Sequence, residues 1–323
     1  MAEINKKKKN KIVHPLKPWY LPYLFSLPVI LVLLFIVVIP LIFGFMISAY
    51  NIRLENIRLL KNIGINIFKL PIVLKNEFIG LKNYAEILSD KTFWIVFLRT
   101  IIWTIVNVFF HVVLGVWLAV TLNRRLPGKP LFRVLLILPW AIPQYIAVLT
   151  WRIMFNYEYG MINLILSNFK FIGVKAINWL GDNIAFFIAC IITNIWLGVP
   201  FMMMTASGGL QSIPTSVYEA ADIDGATPWQ KFIHITVPLL KPVMFPAIML
   251  GCVWTFNMIN IIYLMEPTGR PTDDVNILVV KMYKDGFDLY RYGYAAAMAV
   301  IIFIILAIFS IFYMKVTKAT EEA

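Results

Sequence analysis

The side chains able to do covalent or metal chemistry are few in this sequence, and they fall far apart. Its three histidines are His14, His111 and His234, and its two cysteines are Cys190 and Cys252. No pair has metal-ligand spacing, and no His, Asp, Glu and Cys converge as a nucleophile and its base would. A phosphate-binding loop needs an upstream glycine and a hydroxyl after its lysine, and Gly128-Lys129-Pro130 offers neither. We therefore expect no catalytic residue, no metal site, no cofactor bound by this chain and no ATP hydrolysis by it. Cys190 and Cys252 lie within apolar runs, where they read as small packing residues.

One stretch is punctuated for docking instead. Between Ser212 and Pro238, Pro214 suits the first turn of a helix, and Gly225 marks that helix's end because it tolerates a left-handed backbone. Thr227 then caps a second helix, with Pro228 at its first position, Gln230 closing a capping box, and Pro238 as its expected end. Two short helices crossing at a small-residue turn make a compact knob. Its Ala220 and Ala221 face admits a close partner and Glu219 supplies a charge. Such a knob fits a groove on another protein.

Two pairs of polar residues fall within apolar runs at helical spacing: Asn107 with His111, and Asn257 with Asn260. Each pair either meets a ligand or bonds a neighbouring helix. A lone histidine among apolar residues reads as a satisfied packing residue, and His234 reads as exposed.

The elements that hold these residues follow from composition. A chain of 323 residues that is 60% apolar and 14% charged is not a water-soluble domain. Six runs long enough to cross a hydrocarbon core lie near Leu24–Ala49, Thr100–Leu122, Leu131–Thr150, Ile184–Thr205, Pro242–Leu264 and Tyr294–Met314. The first is too long for a removable signal and lacks a small-residue cleavage site. Lys6, Lys7, Lys8, Lys9 and Lys11 place the N-terminus in the cytoplasm, and an even number of spans returns the C-terminus there. The turn at Arg124, Arg125, Lys129 and Arg133 agrees, whereas the basic loop from Arg53 to Lys82 argues the other way. The net charge of +12 then reflects topology and attraction to membrane lipid, and no soluble basic face is present for a nucleic acid. The expected division is a cytoplasmic tail over 1–18, a first span over 19–50, an external loop over 51–92, a transmembrane core over 93–318 with the knob at 212–238, and a cytoplasmic tail over 319–323. The Asn51–Asp90 segment is amphipathic and should lie on the membrane surface as short helices or extended chain.

A family resemblance rests on these residues. Glu219-Ala220-Ala221, Gly225 and Ile235-Thr-Val-Pro238 resemble the EAA loop of ATP-binding-cassette import permeases, with Val237 where leucine is usual. Phe78-Ile-Gly-Leu-Lys-Asn-Tyr84, Leu138-Pro-Trp-Ala-Ile-Pro143, Trp151-Arg152, Gly160-Met-Ile-Asn163 and Ile177-Asn-Trp-Leu180 are similar to blocks of the carbohydrate branch. So are Pro267-Thr-Gly-Arg-Pro271, Tyr283, Phe287 and Gly293-Tyr-Ala-Ala-Ala297. Trp196 to Met203 and Trp254 to Tyr263 look like the sugar-lining segments of the maltose-type, MalF-like subunit.

The resemblance implies an all-α membrane protein with six transmembrane helices and the MetI-like fold of type I importer permeases, multi-pass in a bacterial plasma membrane. It implies coupling to an ATPase through Glu219, Ala220, Ala221, Gly225 and Pro238. It carries the sugar-lining role onto Leu197, Gly198, Phe201, Val253, Phe256, Asn257 and Asn260. Amides and aromatic rings suit a sugar, which offers hydroxyls together with apolar ring faces. Phe201 in place of a tyrosine, and Val253 and Ile259 in place of polar residues, point to a different glycan from the family's maltose. The implied partners are a second homologous permease subunit, two copies of an ABC ATPase that bind ATP and Mg, an external sugar-binding protein, and a maltodextrin-like oligosaccharide. A permease for glycerol phosphate is an alternative. An ion-coupled secondary transporter is another, but it would place a carboxylate inside a span, and no run has a central Asp or Glu.

Overall fold

The computed structural model describes residues 20–56, 58, 70–124, 127–168, 176–267 and 275–317. The tails expected over 1–18 and 319–323, part of the 51–92 loop, Arg125, and residues 268–271 of the Pro267 block lie outside the described residues. Among the described residues five helices are long and apolar enough to cross a membrane, and a bent helix pair supplies a sixth crossing if counted as one span.

Helix α1 (Leu21–Ile47) is the first span. It widens into a π turn at Leu34–Val38, where the Ile39 N–H reaches back to the Leu34 carbonyl. That wider turn makes room for the Pro40 ring, which would meet the carbonyl four residues before it in a regular helix. The most apolar part of α1 has no buried residue. Side chains each worth about 1.5–3 kcal/mol out of water therefore need lipid or another chain around them. The last turns of α1 do pack, with Phe45 edge-on to Phe303 at 5.9 Å.

Beyond α1 the chain is stitched back onto the bundle. Tyr50 forms an antiparallel bridge with Phe78, ahead of helix α2 (Lys82–Ser89). Asn83 donates to the Ser48 carbonyl at 2.8 Å and the Tyr50 carbonyl at 3.1 Å. The Gly293 N–H donates to the Ile52 carbonyl at 3.1 Å, and a Cβ on Gly293 would collide with the Tyr50 carbonyl. The Phe78–Tyr84 and Gly293–Ala297 blocks thus meet on one short segment.

Helix α3 (Lys91–Asn123) opens on Asp90, whose carboxylate accepts the Thr92 N–H at 2.8 Å. Helices α4 (Lys129–Ala141) and α5 (Gln144–Met154) meet at 95°. The apolar run expected to span over 131–150 is therefore two helices bent at a break. Pro143 has no N–H and pushes the preceding residue out of the helical region, and Ile142 is extended at φ −76, ψ 135. Helix α6 (Met161–Asn168) follows. Its Asn163 side chain accepts the Ile177 N–H at 3.2 Å and the Trp179 indole N–H at 3.0 Å, and it donates to the Ile177 carbonyl at 3.0 Å. The Gly160–Asn163 and Ile177–Leu180 blocks satisfy one another.

Helix α7 (Asn183–Gln211) is capped by Asp182, which accepts the Ala185 N–H at 2.8 Å. It packs along α3 at glycine distance: a Cβ on Gly115 would stand 2.6 Å from the Met202 Cβ and 2.9 Å from the Met203 nitrogen. Helices α8 (Thr215–Ile223) and α9 (Pro228–Lys231) form the knob. A π turn at Phe232–Thr236 leads into α10 (Val237–Phe256), and α11 (Ile259–Met265) continues it after a break. Helix α12 (Leu278–Tyr283), a π turn at Lys284–Asp288, and α13 (Tyr292–Thr317) complete the bundle.

Candidate functional site

Two broken helices, α4–α5 and α10–α11, meet beside α7. At these breaks lies a cavity of about 280 Å³, lined by residues that include His111, Trp140, Ile142, Gln144, Asn194, Leu197, Gly198, Phe201, Trp254, Thr255 and Met258. Irregular backbone at membrane depth is tolerated where its polar groups are satisfied or line such a cavity. The α10–α11 break frees the Thr255 carbonyl, which accepts the Trp103 indole N–H at 2.9 Å and the Met258 N–H at 3.2 Å.

Among the described residues the cavity wall carries no carboxylate and no lysine or arginine. Its polar side chains are the Gln144 and Asn194 amides, the His111 imidazole, the Thr255 hydroxyl and the Trp140 and Trp254 indoles. Gln144 accepts from Asn260 Nδ2 at 2.7 Å and donates to Met258 Sδ at 2.8 Å, so its amide ties the two breaks together. His111 is 4% exposed, and its Nε2 lies 3.0 Å from the Asn194 carbonyl. A carbonyl only accepts, so Nε2 carries the hydrogen. Gly198 leaves the room that this ring fills, because a Cβ there would collide with the imidazole. The Asn194 Nδ2 group is buried and has no hydrogen-bond partner among the described residues. Phe201 and Trp254 stand 5.2 Å apart as a tilted aromatic pair on the same wall.

Three of the residues expected to line a sugar site, Leu197, Gly198 and Phe201, meet here. Asn260 reaches the cavity through Gln144. Asn257 is exposed beside the break and turns its amide onto the Val253 carbonyl at 3.1 Å. Asn257 and Asn260 do not share a helix face as expected, since the helix breaks between them at Asn257 and Met258. Phe256 is 3% exposed and packs the other way, against α3 and α13 with Phe93, Tyr294 and Met298. Asn194, Gln144 and Trp140 line the cavity beyond the expected set, Trp254 opens one of the expected sugar-lining segments, and His111 is the satisfied packing residue expected, with its ring also on the cavity. Asn194 was within reach, because it lies one helical turn before Gly198 on the same face.

The knob has the expected punctuation with two differences. Pro214 is the N-cap of α8, one position before its first turn. At the far end Gly225 has φ 74, the Ala226 N–H bonds the Ala221 carbonyl at 2.9 Å and the Gly225 N–H bonds the Asp222 carbonyl at 3.1 Å, which is a complete Schellman cap. Thr227 and Gln230 form the capping box reciprocally. Pro238, however, does not end the second helix. The π turn carries the chain through it: the Val237 N–H reaches back to Phe232, which widens the backbone where the Pro238 ring sits.

Asp222 and Lys231 tie the two helices at 2.5 Å, and the Tyr218 hydroxyl meets Thr236 Oγ1 at 2.9 Å. No residue of α8 is buried. Glu219 and Ala220 are exposed and Ala221 is half-buried, with Ile223 and Trp229 open to the surroundings at 87% and 69%. His234 is exposed.

The knob links two of the helices that line the cavity. It joins α7 to α10, and these helices are wedged together beneath it. A Cβ on Gly209 would stand 2.7 Å from a Leu240 methyl, and one on Gly251 would stand 2.6 Å from the Met202 methyl.

Comparisons with known proteins agree with this geometry. A family model described as binding-protein-dependent transport system inner membrane component matches residues 111–321. The chain is 35% identical over 304 residues to the trehalose/maltose transport system permease protein MalF of Thermococcus litoralis, covering 94% of this chain and 95% of that one. It is 31% identical over 324 residues to the galactooligosaccharides transport system permease protein GanP of Bacillus subtilis, covering 97% and 74%. Its fold matches that of a bacterial alginate ABC transporter solved with its pentasaccharide-bound periplasmic protein, with a TM-score of 0.75 at 20% identity over 94% of this chain and 96% of that one. These matches bear out the motif resemblance, and the chain belongs to the binding-protein-dependent transport system inner membrane components, as a multi-pass permease.

Proposed function

We propose that this permease is one of two membrane-spanning subunits of an ATP-driven importer for an oligosaccharide of maltodextrin-like size. The observation that carries the reading is the shared scaffold: α7 and α10 wall the uncharged cavity and also hold the exposed knob between them. A displacement of the knob moves both helices together, because glycine contacts wedge them against one another. In this reading Glu219, Ala220, Ala221 and Gly225 seat in an ATPase subunit, and Pro238 sits at the hinge-like π turn behind them. Two ATPase copies, which hold ATP and Mg, close and reopen. The cavity then faces alternately outward and inward.

The cavity suits a neutral polyol. Leu197, Phe201 and Trp254 offer apolar contact for ring faces. Gln144 and Asn194 offer amides for hydroxyls, and the unpartnered Asn194 Nδ2 is a donor awaiting an acceptor. Among the described residues no cation lines it to receive a phosphate. A second homologous permease completes the path, an external binding protein delivers the sugar, both termini lie in the cytoplasm, and the chain itself catalyses no reaction.

The test is reconstitution of the chain with its co-encoded subunits in proteoliposomes. ATP-dependent uptake of a labelled oligosaccharide that falls on Asn194→Leu, with the assembly intact, supports the reading. Uptake indifferent to Asn194, Gln144 and Phe201 substitutions together would remove the sugar from this cavity.

A further inference from the structure

The end of the bundle opposite the knob carries an unbroken chain of aromatic rings that the cavity does not use. Tyr263 of α11 stands 5.0 Å from Tyr283 of α12, Tyr283 stands 4.8 Å from Phe287, Phe287 stands 6.3 Å from Tyr292, and Tyr292 stands 6.4 Å from Tyr290. The series runs from half-buried Tyr263 to Phe287 and Tyr290, which are 58% and 45% exposed. Its inner end adjoins the cavity. Asn260, bonded to the cavity residue Gln144, and Tyr263 are three residues apart on α11 and so share a face.

We propose that Tyr263, Tyr283, Phe287, Tyr292 and Tyr290 form a second carbohydrate site, a stacking track that receives a glycan chain at the open end and guides it to the cavity. This rests on the oligosaccharide reading above. Aromatic faces bind the apolar faces of sugar rings without fixing one linkage, so a row of them holds a chain while letting it advance.

Two features besides the rings support the track. The loop presenting it is built at a cost. Tyr290 has φ 57, a left-handed conformation that an L-residue adopts only when its surroundings impose it. The Leu289 N–H to Lys284 carbonyl bond and the Arg291 N–H to Asp285 carbonyl bond, both 2.9 Å, impose it. A glycine would sit there without strain, yet the sequence keeps an exposed phenol.

The platform beneath is also ionic where apolar packing would serve. Lys284 pairs with Glu266 and donates to Asn276 Oδ1 at 3.2 Å, and Lys281 lies 3.6 Å from Asp285, all of these charged groups nearly buried. Buried ion pairs add little stability over apolar side chains of similar volume, but they fix one arrangement. Here they fix the π turn that spaces Tyr283 from Phe287.

Aromatic residues also anchor membrane proteins at the lipid interface, and the experiment separates that role. The assembled transporter in proteoliposomes is given a labelled disaccharide and a labelled heptasaccharide of the same linkage. Wild type is compared with Phe287→Leu, Tyr290→Gly and, as a control, Trp94→Leu, which removes an exposed indole outside the series. Tyr290→Gly relieves backbone strain, so a loss there is not a folding defect.

We expect KM for the heptasaccharide to rise about threefold to tenfold for each ring removed. The disaccharide KM, the maximal ATPase rate and the Trp94→Leu variant should stay at wild-type values. Equal losses for both sugars, an equal loss in Trp94→Leu, or wild-type KM in Phe287→Leu and Tyr290→Gly would overturn the track while leaving the importer reading in place. If the wild type takes up neither sugar with ATP, both fall together.

Discussion

Replacing Gly198 with alanine measures how tightly the cavity wall is built. The new methyl would collide with the His111 imidazole. That ring is nearly buried and anchored on the Asn194 carbonyl at 3.0 Å. It cannot back away freely, because its own helix α3 is packed on α7 down to Gly115, where a Cβ would stand 2.6 Å from Met202. Overpacking of this kind costs about 1–3 kcal/mol, and a ring forced off its carbonyl forfeits about 0.5–1.5 kcal/mol more. The destabilisation should therefore be about 2–4 kcal/mol, a shift of about thirtyfold or more in the unfolding equilibrium. His111→Ala removes the obstacle, so the double variant should be more stable than the sum of the single costs predicts, by about 1–3 kcal/mol. Unfolding in mixed micelles by a denaturing detergent, followed by tryptophan fluorescence, reads each cost. Gly198→Ala within about 0.5 kcal/mol of wild type, or simple additivity with His111→Ala, would refute this account of the wall.

Three other outcomes follow from the same geometry. Trp103→Phe keeps the ring but takes the donor from the Thr255 carbonyl, and should cost about 1–3 kcal/mol in the same unfolding assay. Gly225→Val forces a β-branched residue into a left-handed backbone at φ 74, at about 1–2 kcal/mol. Since a Cβ at Gly225 meets nothing within 4 Å, the damage stays in the knob: recovery of ATPase on copurification should fall while oligosaccharide binding holds. Asn260→Leu breaks the amide bond to Gln144 and should raise the KM for uptake up to about tenfold, with the assembled complex recovered in normal yield.

Much of this was legible in the sequence where the cause is local. Most of the knob could be read residue by residue because Gly225, Thr227, Pro228 and Gln230 act through their own backbone and near neighbours. The bend between α4 and α5 was half legible, since the effect of Pro143 on Ile142 is also local, yet the apolar run hid it. The break at Asn257 was not. Its cost is offset by Trp103, 152 positions away in the chain, and once the helix breaks, the faces assigned to Phe256, Asn257 and Asn260 by helical spacing no longer hold. Pro238 misled for a related reason: a π turn absorbs a proline that would otherwise end a helix. His111 was legible as a satisfied packing residue but not as part of the cavity lining, because the Asn194 carbonyl it bonds is brought beside it only by the packing of α3 on α7.

The central claim is that the exposed knob conveys ATP-driven motion to the cavity. It is tested most directly by labelled-oligosaccharide uptake and sugar-stimulated ATP hydrolysis, measured together in proteoliposomes holding the complete transporter, wild type against Glu219→Lys. Glu219 is exposed on a helix with no buried residue, so the substitution leaves the fold intact. The account predicts ATP-dependent uptake in the wild type, and in the variant a loss of uptake together with the loss of sugar stimulation of the ATPase. Uptake that persists in Glu219→Lys, or that follows a proton or sodium gradient without ATP, would contradict it.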